Sequence, residues 1–237
     1  MKQYLEQVAN ENGIFMSKTQ LDQFDVFYRH LLEVNNVMNL TAITEMEDVV
    51  IKHFMDSISI LQYAAFEPGQ KIIDVGTGAG FPGVPLAIML PEVQFTLMDS
   101  LNKRLKFIEE SAELCGLSNI MTMHSRAEDL GQNPEYREKY DVCVSRAVAN
   151  LSTLLEYCVP LVRIHGKFIS FKSRLAEDEL QNAEHAVKTL GCQLNNQIDF
   201  SLKGNESYER TFLIFEKTKN TPKRYPRQAG TPKKKPL

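Results

Sequence analysis

Gly76, Gly78 and Gly80 stand at alternate positions, directly after the apolar run Lys71–Val75 and directly before a segment that reads as a helix. Glycines so spaced permit positive φ and a close approach of ligand to backbone, and the start of the next helix offers unpaired N–H groups. A nucleotide-like ligand is expected at this turn. A dinucleotide site carries G-x-G-x-x-G/A, whose third glycine lets the helix pack close beside a pyrophosphate. Here that third position is Phe81. A bulky side chain there would crowd a pyrophosphate, but it can line a pocket for a cofactor without phosphates, such as S-adenosylmethionine. Pro82 is expected at the first helical position, where no N–H is needed.

Three residues further along supply partners for such a ligand. Asp99 ends the next apolar run, where a carboxylate can accept both ribose hydroxyls or cap the following helix. In "SRAED" (Ser125–Asp129), Glu128 can accept from an adenine amino group while Ala127 offers its backbone. The alternative is a first-turn carboxylate that complements a helix dipole. Arg146 follows "YDVCV" and can pair with a methionine carboxylate or a substrate phosphate, or simply lie at the surface. The ribose device is shared by NAD, so an NAD-linked oxidoreductase is the rival reading of the turn. No His/Cys/Asp grouping has metal-ligand spacing, and no metal is expected.

These residues need a scaffold that gathers strand ends. From Lys71 the pattern alternates strand and helix: "KIIDV", "VQFTLMD", "NIMTMHS", "YDVCVSR" and "GKFISFK" are strand-length apolar runs. Helical patterns lie at Pro82–Leu90, at "LNKRLKFIEESAELCG" closed by Gly116, and around Leu151–Val162 and Ala176–Leu190. "CQLNNQIDFSL" and "YERTFLIFEK", joined by "KGNES", must be antiparallel neighbours. The expected fold is α/β, a doubly wound, mostly parallel sheet with an antiparallel strand at one end. Residues 1–66 read as a helical cap. In it Leu21, Phe24, Phe27, Tyr28, Leu31 and Leu32 form one stripe, started by a Ser17/Gln20 capping box. A second helix over "MEDVVIKHFMDSISILQYAAF" is expected to break near His53. Residues 67–216 form the sheet domain and 217–237 a basic, Pro-rich tail.

At 237 residues and 43% hydrophobic, the chain can bury a proper core. No stretch reads as a transmembrane helix or a secretory signal. Cys115, Cys143, Cys158 and Cys192 form no C-x-x-C pair, which fits reduced thiols and a cytoplasmic location. The net charge of −3 hides an asymmetry: eight of the 27 basic residues lie in 217–237 with no acid, leaving 19 against 30 acids before them. Such a tail is expected to act as an electrostatic arm for a polyanion.

With these motifs in place, the chain resembles the ribosomal small subunit methyltransferase G family, also called glucose-inhibited division protein B. The resemblance is carried nearly end to end by "NLTAIT" (39–44), "KHFMDS" (52–57), "DVGTGAGFPGVPLAI", "DSLNKR" (99–104), "RAED", "SRAVA" and the tail "TPKRYPRQAGTPKKKPL". One departure is Glu33-Val34-Asn35, where the family usually has Trp-Asn after the Glu. The resemblance implies a class I methyltransferase, Rossmann-like fold. It also implies S-adenosylmethionine-dependent methylation of N7 of one guanine in the 530 loop of 16S rRNA. By motif, the cofactor residues would be Gly76, Phe81, Ala127 with Glu128, and Arg146. Asp99, Gly78 and Gly80 are added from the turn itself.

Guanine N7 has an in-plane lone pair and no proton, so no general base is required. The absence of an N-P-P-Y-type motif agrees with a ring-nitrogen target. The partner would be 16S rRNA or the small subunit, with no membrane, no DNA and a monomeric enzyme. Lys103, Arg104, Arg126, Lys172, Arg224 and Arg227 are candidate RNA contacts, and Tyr225 is a candidate platform for a splayed guanine. A non-catalytic RNA-binding factor is the second rival reading.

Overall fold

In a computed structural model, residues 1–173, 177–203 and 207–237 are described. The cap begins with α1 (Lys2–Glu11) and α2 (Lys18–Met38). Ser17 accepts from the Gln20 amide, and the Gln20 side chain accepts from the Ser17 amide, so the capping box forms as read. The second cap helix is irregular where His53 sits. Single α-turns α3 (Met46–Asp48) and α4 (Asp56–Ile58) flank a π-helical stretch, Val49–Met55, and a 3₁₀ turn follows at Ser59–Gln62. Widened turns of this kind are frequent at functional sites.

The first strand, β1 (Lys71–Val75), is followed by α5 (Gly83–Met89). Next come β2 (Gln94–Asp99), α6 (Asn102–Cys115), β3 (Ile120–His124) and α7 (Ala127–Gln132). The chain continues with β4 (Tyr140–Arg146), α8 (Leu151–Cys158), β5 (Val162–Lys172) and α9 (Glu177–Leu190). It ends with β6 (Cys192–Leu202), β7 (Tyr208–Lys217) and the single turn α10 (Thr231–Lys234). The expected helix start at Ala176 and residues 204–206 of "KGNES" lie outside the described residues.

The seven strands run in the order β3-β2-β1-β4-β5-β7-β6. All pairs up to β5 are parallel, and β7 is antiparallel to both β5 and β6. The antiparallel strand therefore lies inside the sheet and not at its end, because the β6–β7 hairpin folds inward and inserts its second strand beside β5. The order reverses between β1 and β4, which is where an open α/β sheet opens a crevice for ligands.

Apolar clusters cover both faces. On one, Phe24 and Phe27 of the cap and Phe54 of the π turn meet Phe81 and Phe107 of the sheet domain. The cap and sheet thus share one core. Each such ring, fully buried, contributes on the order of 1.5–3 kcal/mol. On the other face α7, α8 and α9 pack with Tyr225 of the tail.

The tail is not a solvated arm over its length. Lys217 is 1% exposed and donates to Glu138 and to the Val159 carbonyl. The half-buried Arg137 guanidinium binds the carbonyls of Thr221, Pro222 and Tyr225. A Pro-rich segment has few N–H groups of its own, so its carbonyls need donors from elsewhere, and Arg137 supplies them.

Candidate active site

The glycine turn is held from below by Asp74, the fourth residue of β1. Its side chain is 0% exposed; Oδ2 accepts from the Gly83 amide at 2.9 Å, and Oδ1 has no hydrogen-bond partner among the described residues. Burial pushes its carboxyl up to about 7, against the pull of the hydrogen bonds it accepts. Pro82 is the N-cap and not the first helical residue. The first amide of the helix, the Gly83 N–H, has no acceptor within it and is taken up by Asp74. Gly83 is also the close-packing glycine of the motif. A Cβ there would lie 2.2 Å from Leu97 Cδ2 and 2.8 Å from Asp74 Oδ2.

Phe81 points away from the expected pocket. It is 5% exposed, stacks on His53 with centroids 4.4 Å apart, and carries the Arg146 guanidinium 5.1 Å over its ring. The turn directs the ring at position 81 onto the aromatic core of the cap and not into the wall of either cleft described below. A different feature bars phosphate. Over the start of α5, Pro82 and Pro85 have no N–H, the Gly83 N–H goes to Asp74, and the Val84 N–H goes to the Gly80 carbonyl at 2.7 Å. The free amides that hold a pyrophosphate at a helix start are all spent.

A cleft of about 380 Å³ opens at the carboxyl ends of β1 to β4, with Gly76, Asp99, Arg104, Arg126, Ala127 and Glu128 in its wall. Gly76 is the one glycine of the three in that wall; its φ is +75°, and a Cβ would meet Val148 at 2.6 Å. Gly78 acts indirectly, donating its amide to Asp99 Oδ2 at 3.0 Å. Gly80 packs on Val84 and Phe27. Asp99 also accepts from the Leu101 amide and from Arg104, at 2.9 and 3.3 Å. It therefore serves the start of α6 as well as the cleft. Glu128 is buried, accepts from the Gly230 amide at 2.9 Å, and lies against the Tyr157 hydroxyl, which burial and Glu128 push up to about 12.

Arg146 sits outside this cleft, in the wall of a second one of about 340 Å³ that also contains Lys52, His53, Asp56, Lys172 and Arg210. The two clefts meet at Ala147, whose φ is +56°. Arg146 donates to Asp56 Oδ2 at 2.7 Å and to the Lys52 carbonyl at 3.2 Å. Arg210 binds the other Asp56 oxygen at 2.6 Å. Neither a free carboxylate partner nor a bare surface position describes Arg146: it is part of a buried ion network.

His53 Nδ1, 3.3 Å from Arg146 Nη2, must be the acceptor, since a guanidinium only donates. Burial, reinforced by Arg146, pushes His53 down to about 3. The ring is neutral and its Nε2–H donates to Thr41 Oγ1 at 2.8 Å. Asn35 in turn accepts from the Thr41 amide. The motifs "NLTAIT", "KHFMDS" and "SRAVA" thus converge on one network. Thr41, His53, Asp56, Asp74 and Arg210 have no assigned role in the sequence; the first three stand in those motifs and Asp74 in "DVGTGAGFPGVPLAI", while nothing local singles out Arg210.

The basic candidates divide. Lys103 is exposed at the start of α6, and Arg104 and Arg126 line the first cleft. Lys172 lines the second and pairs with Glu179. Arg224 is exposed, 5.0 Å over the Tyr225 ring. Tyr225 is 7% exposed within the core and cannot stack on a base. Arg227 holds the fully buried Glu156 through Nε and Nη2 and is not free for phosphate. A basic, Pro-rich composition points to RNA for both, because it says nothing of a buried acid or an apolar cluster elsewhere.

Among the described residues, no helix is long and apolar enough to cross a membrane. The family model described as rRNA small subunit methyltransferase G matches residues 20–208. A ribosomal RNA small subunit methyltransferase G from Lachnoclostridium phytofermentans is 47% identical over 225 residues, covering 95% of this chain and 93% of that one. Another, from Bacillus cytotoxicus, is 45% identical over 232 residues, covering 98% and 97%. Among solved structures, the ribosomal protein L11 methylase of Lactobacillus delbrueckii subsp. bulgaricus aligns with TM-score 0.53 at 16% identity, over 71% of this chain and 79% of that one, a likeness of fold. The chain belongs to the rRNA small subunit methyltransferase G family.

Proposed function

We propose that this enzyme transfers a methyl group from S-adenosylmethionine to N7 of a guanine in the 530 loop of small-subunit ribosomal RNA. One observation carries the reading: a cleft with a ribose-type carboxylate opens, across Ala147, into a second cleft walled by cations. The first suits an adenosine-bearing cofactor without phosphates, because the start of α5 has no amide left for a pyrophosphate. That argument, and not crowding by Phe81, disfavours NAD.

When bound, S-adenosylmethionine supplies an electrophilic sulfonium methyl. The residues of this chain that would hold it are Gly76 by its bare backbone, Asp99 by its carboxylate and Glu128 by its remaining acceptor capacity. Asp99 has about four acceptor positions and already fills three, so gripping two ribose hydroxyls requires Arg104 to swing away. Arg104 is then free for RNA phosphate, together with Lys103 and Arg126.

No residue is called on as a base. His53, the one imidazole in the second cleft, is neutral but has both nitrogens engaged. The chain's task is to position the guanine in line with the methyl group, with Arg146, Lys172 and Arg210 drawing RNA phosphate into the second cleft. Methyl transfer to small-subunit RNA with tritiated S-adenosylmethionine, followed by mass spectrometry of the digest, tests the reading. Label in 7-methylguanosine of the 530 loop is the expected result. No transfer to naked RNA, to assembly intermediates or to the 30S subunit would overturn it.

A further inference from the structure

We infer that the segment from Tyr225 to Lys235 is a working wall of the cofactor cleft, which holds Glu128 in place through the Gly230 amide. The inference rests on the reading of that cleft as the S-adenosylmethionine site.

Gly230 and Lys233 both line the cleft. Gly230 has φ +84° and open space where a Cβ would be, so it is glycine for its backbone shape and not for lack of room. That shape turns its N–H onto Glu128 Oε1. A backbone amide on one carboxylate oxygen fixes the rotation of the group, and with the Tyr157 hydroxyl also against it, one acceptor position or more is left for the cleft. An exocyclic adenine amine is the donor that such an acceptor selects.

The segment is anchored well enough to do this. Arg227 donates from its amide and guanidinium to Glu156, which has no exposure to solvent, and it binds the Lys235 carbonyl at 2.8 Å. Thr153 Oγ1 donates to the Pro232 carbonyl at 3.0 Å, and Pro232 is buried. Pro226 packs so tightly on Gly131 of α7 that a Cβ there would lie 2.8 Å away. The anchors reach α7, which carries Glu128, and α8, which follows the Ala147 junction. Gly230 is therefore a positioning residue for cofactor recognition.

The test uses a chain ending at Gln228, which keeps Tyr225 and the Arg227–Glu156 pair, and a Gly230→Pro variant that removes the N–H together with the left-handed turn that aims it. Calorimetry would measure the affinity of each for S-adenosylhomocysteine and for S-inosylhomocysteine, whose 6-oxo group cannot donate to Glu128. Both variants are expected to lose about tenfold or more in affinity for the adenosyl ligand, with a smaller loss for the inosyl one. A general loosening would weaken both ligands equally and would overturn the inference, as would unchanged adenosyl affinity. Should the shortened chain fail to fold, Gly230→Pro carries the test. If the parent binds neither ligand, or if Gly76→Glu binds the adenosyl ligand as the parent does, it is the reading of the cleft that fails.

Discussion

Replacing Asp74 by Asn isolates the cost of burying a carboxyl under the glycine turn. Its folded-state pKa is raised from 3.8 to about 7, chiefly by burial. The folded protein therefore holds this proton more tightly than the unfolded chain does. The stability so gained is full below about pH 4 and is lost as pH rises through 7. A shift of about three units at 1.36 kcal/mol each gives up to about 4 kcal/mol between those limits. Asn removes the titration while keeping an oxygen for the Gly83 amide and bringing an amide group towards Thr77, which lies against the same carboxyl. The stability of Asp74→Asn relative to the parent should rise by up to about 4 kcal/mol between pH 4 and pH 8. Urea denaturation followed by circular dichroism at unit pH steps measures it, with all other titrating groups cancelling in the difference. A difference that stays flat with pH, or that falls, refutes the argument that this carboxyl is buried at a cost.

Gly76→Glu places a side chain at φ +75° and against Val148; cofactor affinity should fall at least about a hundredfold by calorimetry, with retained affinity showing that Gly76 does not border the site. Asp56→Ala leaves the Arg146 and Arg210 guanidiniums without their shared carboxylate, and should cost about 3 kcal/mol in denaturant unfolding as well as most of the methyl transfer. Full activity and stability would mean the network is idle. Tyr225→Ala should cost about 3–5 kcal/mol of stability, as removal of a buried ring does, without changing the affinity of the folded protein for RNA. Weaker RNA binding with unchanged stability would restore Tyr225 to the RNA surface.

Much of the fold was legible because its signals are local. The period of apolar residues marked the strands and helices, the Ser17/Gln20 box marked the start of α2, and Gly116 its role at the end of α6. The short connection required β6 and β7 to be neighbours. The ends of β1, β2 and β4 placed Gly76, Asp99 and Arg146 near one sheet edge, and alternation of strand and helix is enough to say so. The placement of β7 between β5 and β6 was not legible, since either order satisfies the same hairpin.

What the sequence determined by itself, then, was the family, the layered α/β pattern and the bare-backbone turn at Gly76, each written in neighbouring residues or in motif order. Tertiary structure alone decided which way Phe81 faces, that Gly83 and Asp74 spend the amides at the start of α5, and that Arg146 is shared between Asp56 and His53. It also turned Tyr225 and Arg227 from an RNA arm into anchors of the tail, by setting Arg227 against Glu156 from a distant helix and Tyr225 into the core. The physical reason is the same in each case. A charge or a ring is settled by what it meets when the chain closes, and most of those partners lie tens of residues away along the sequence.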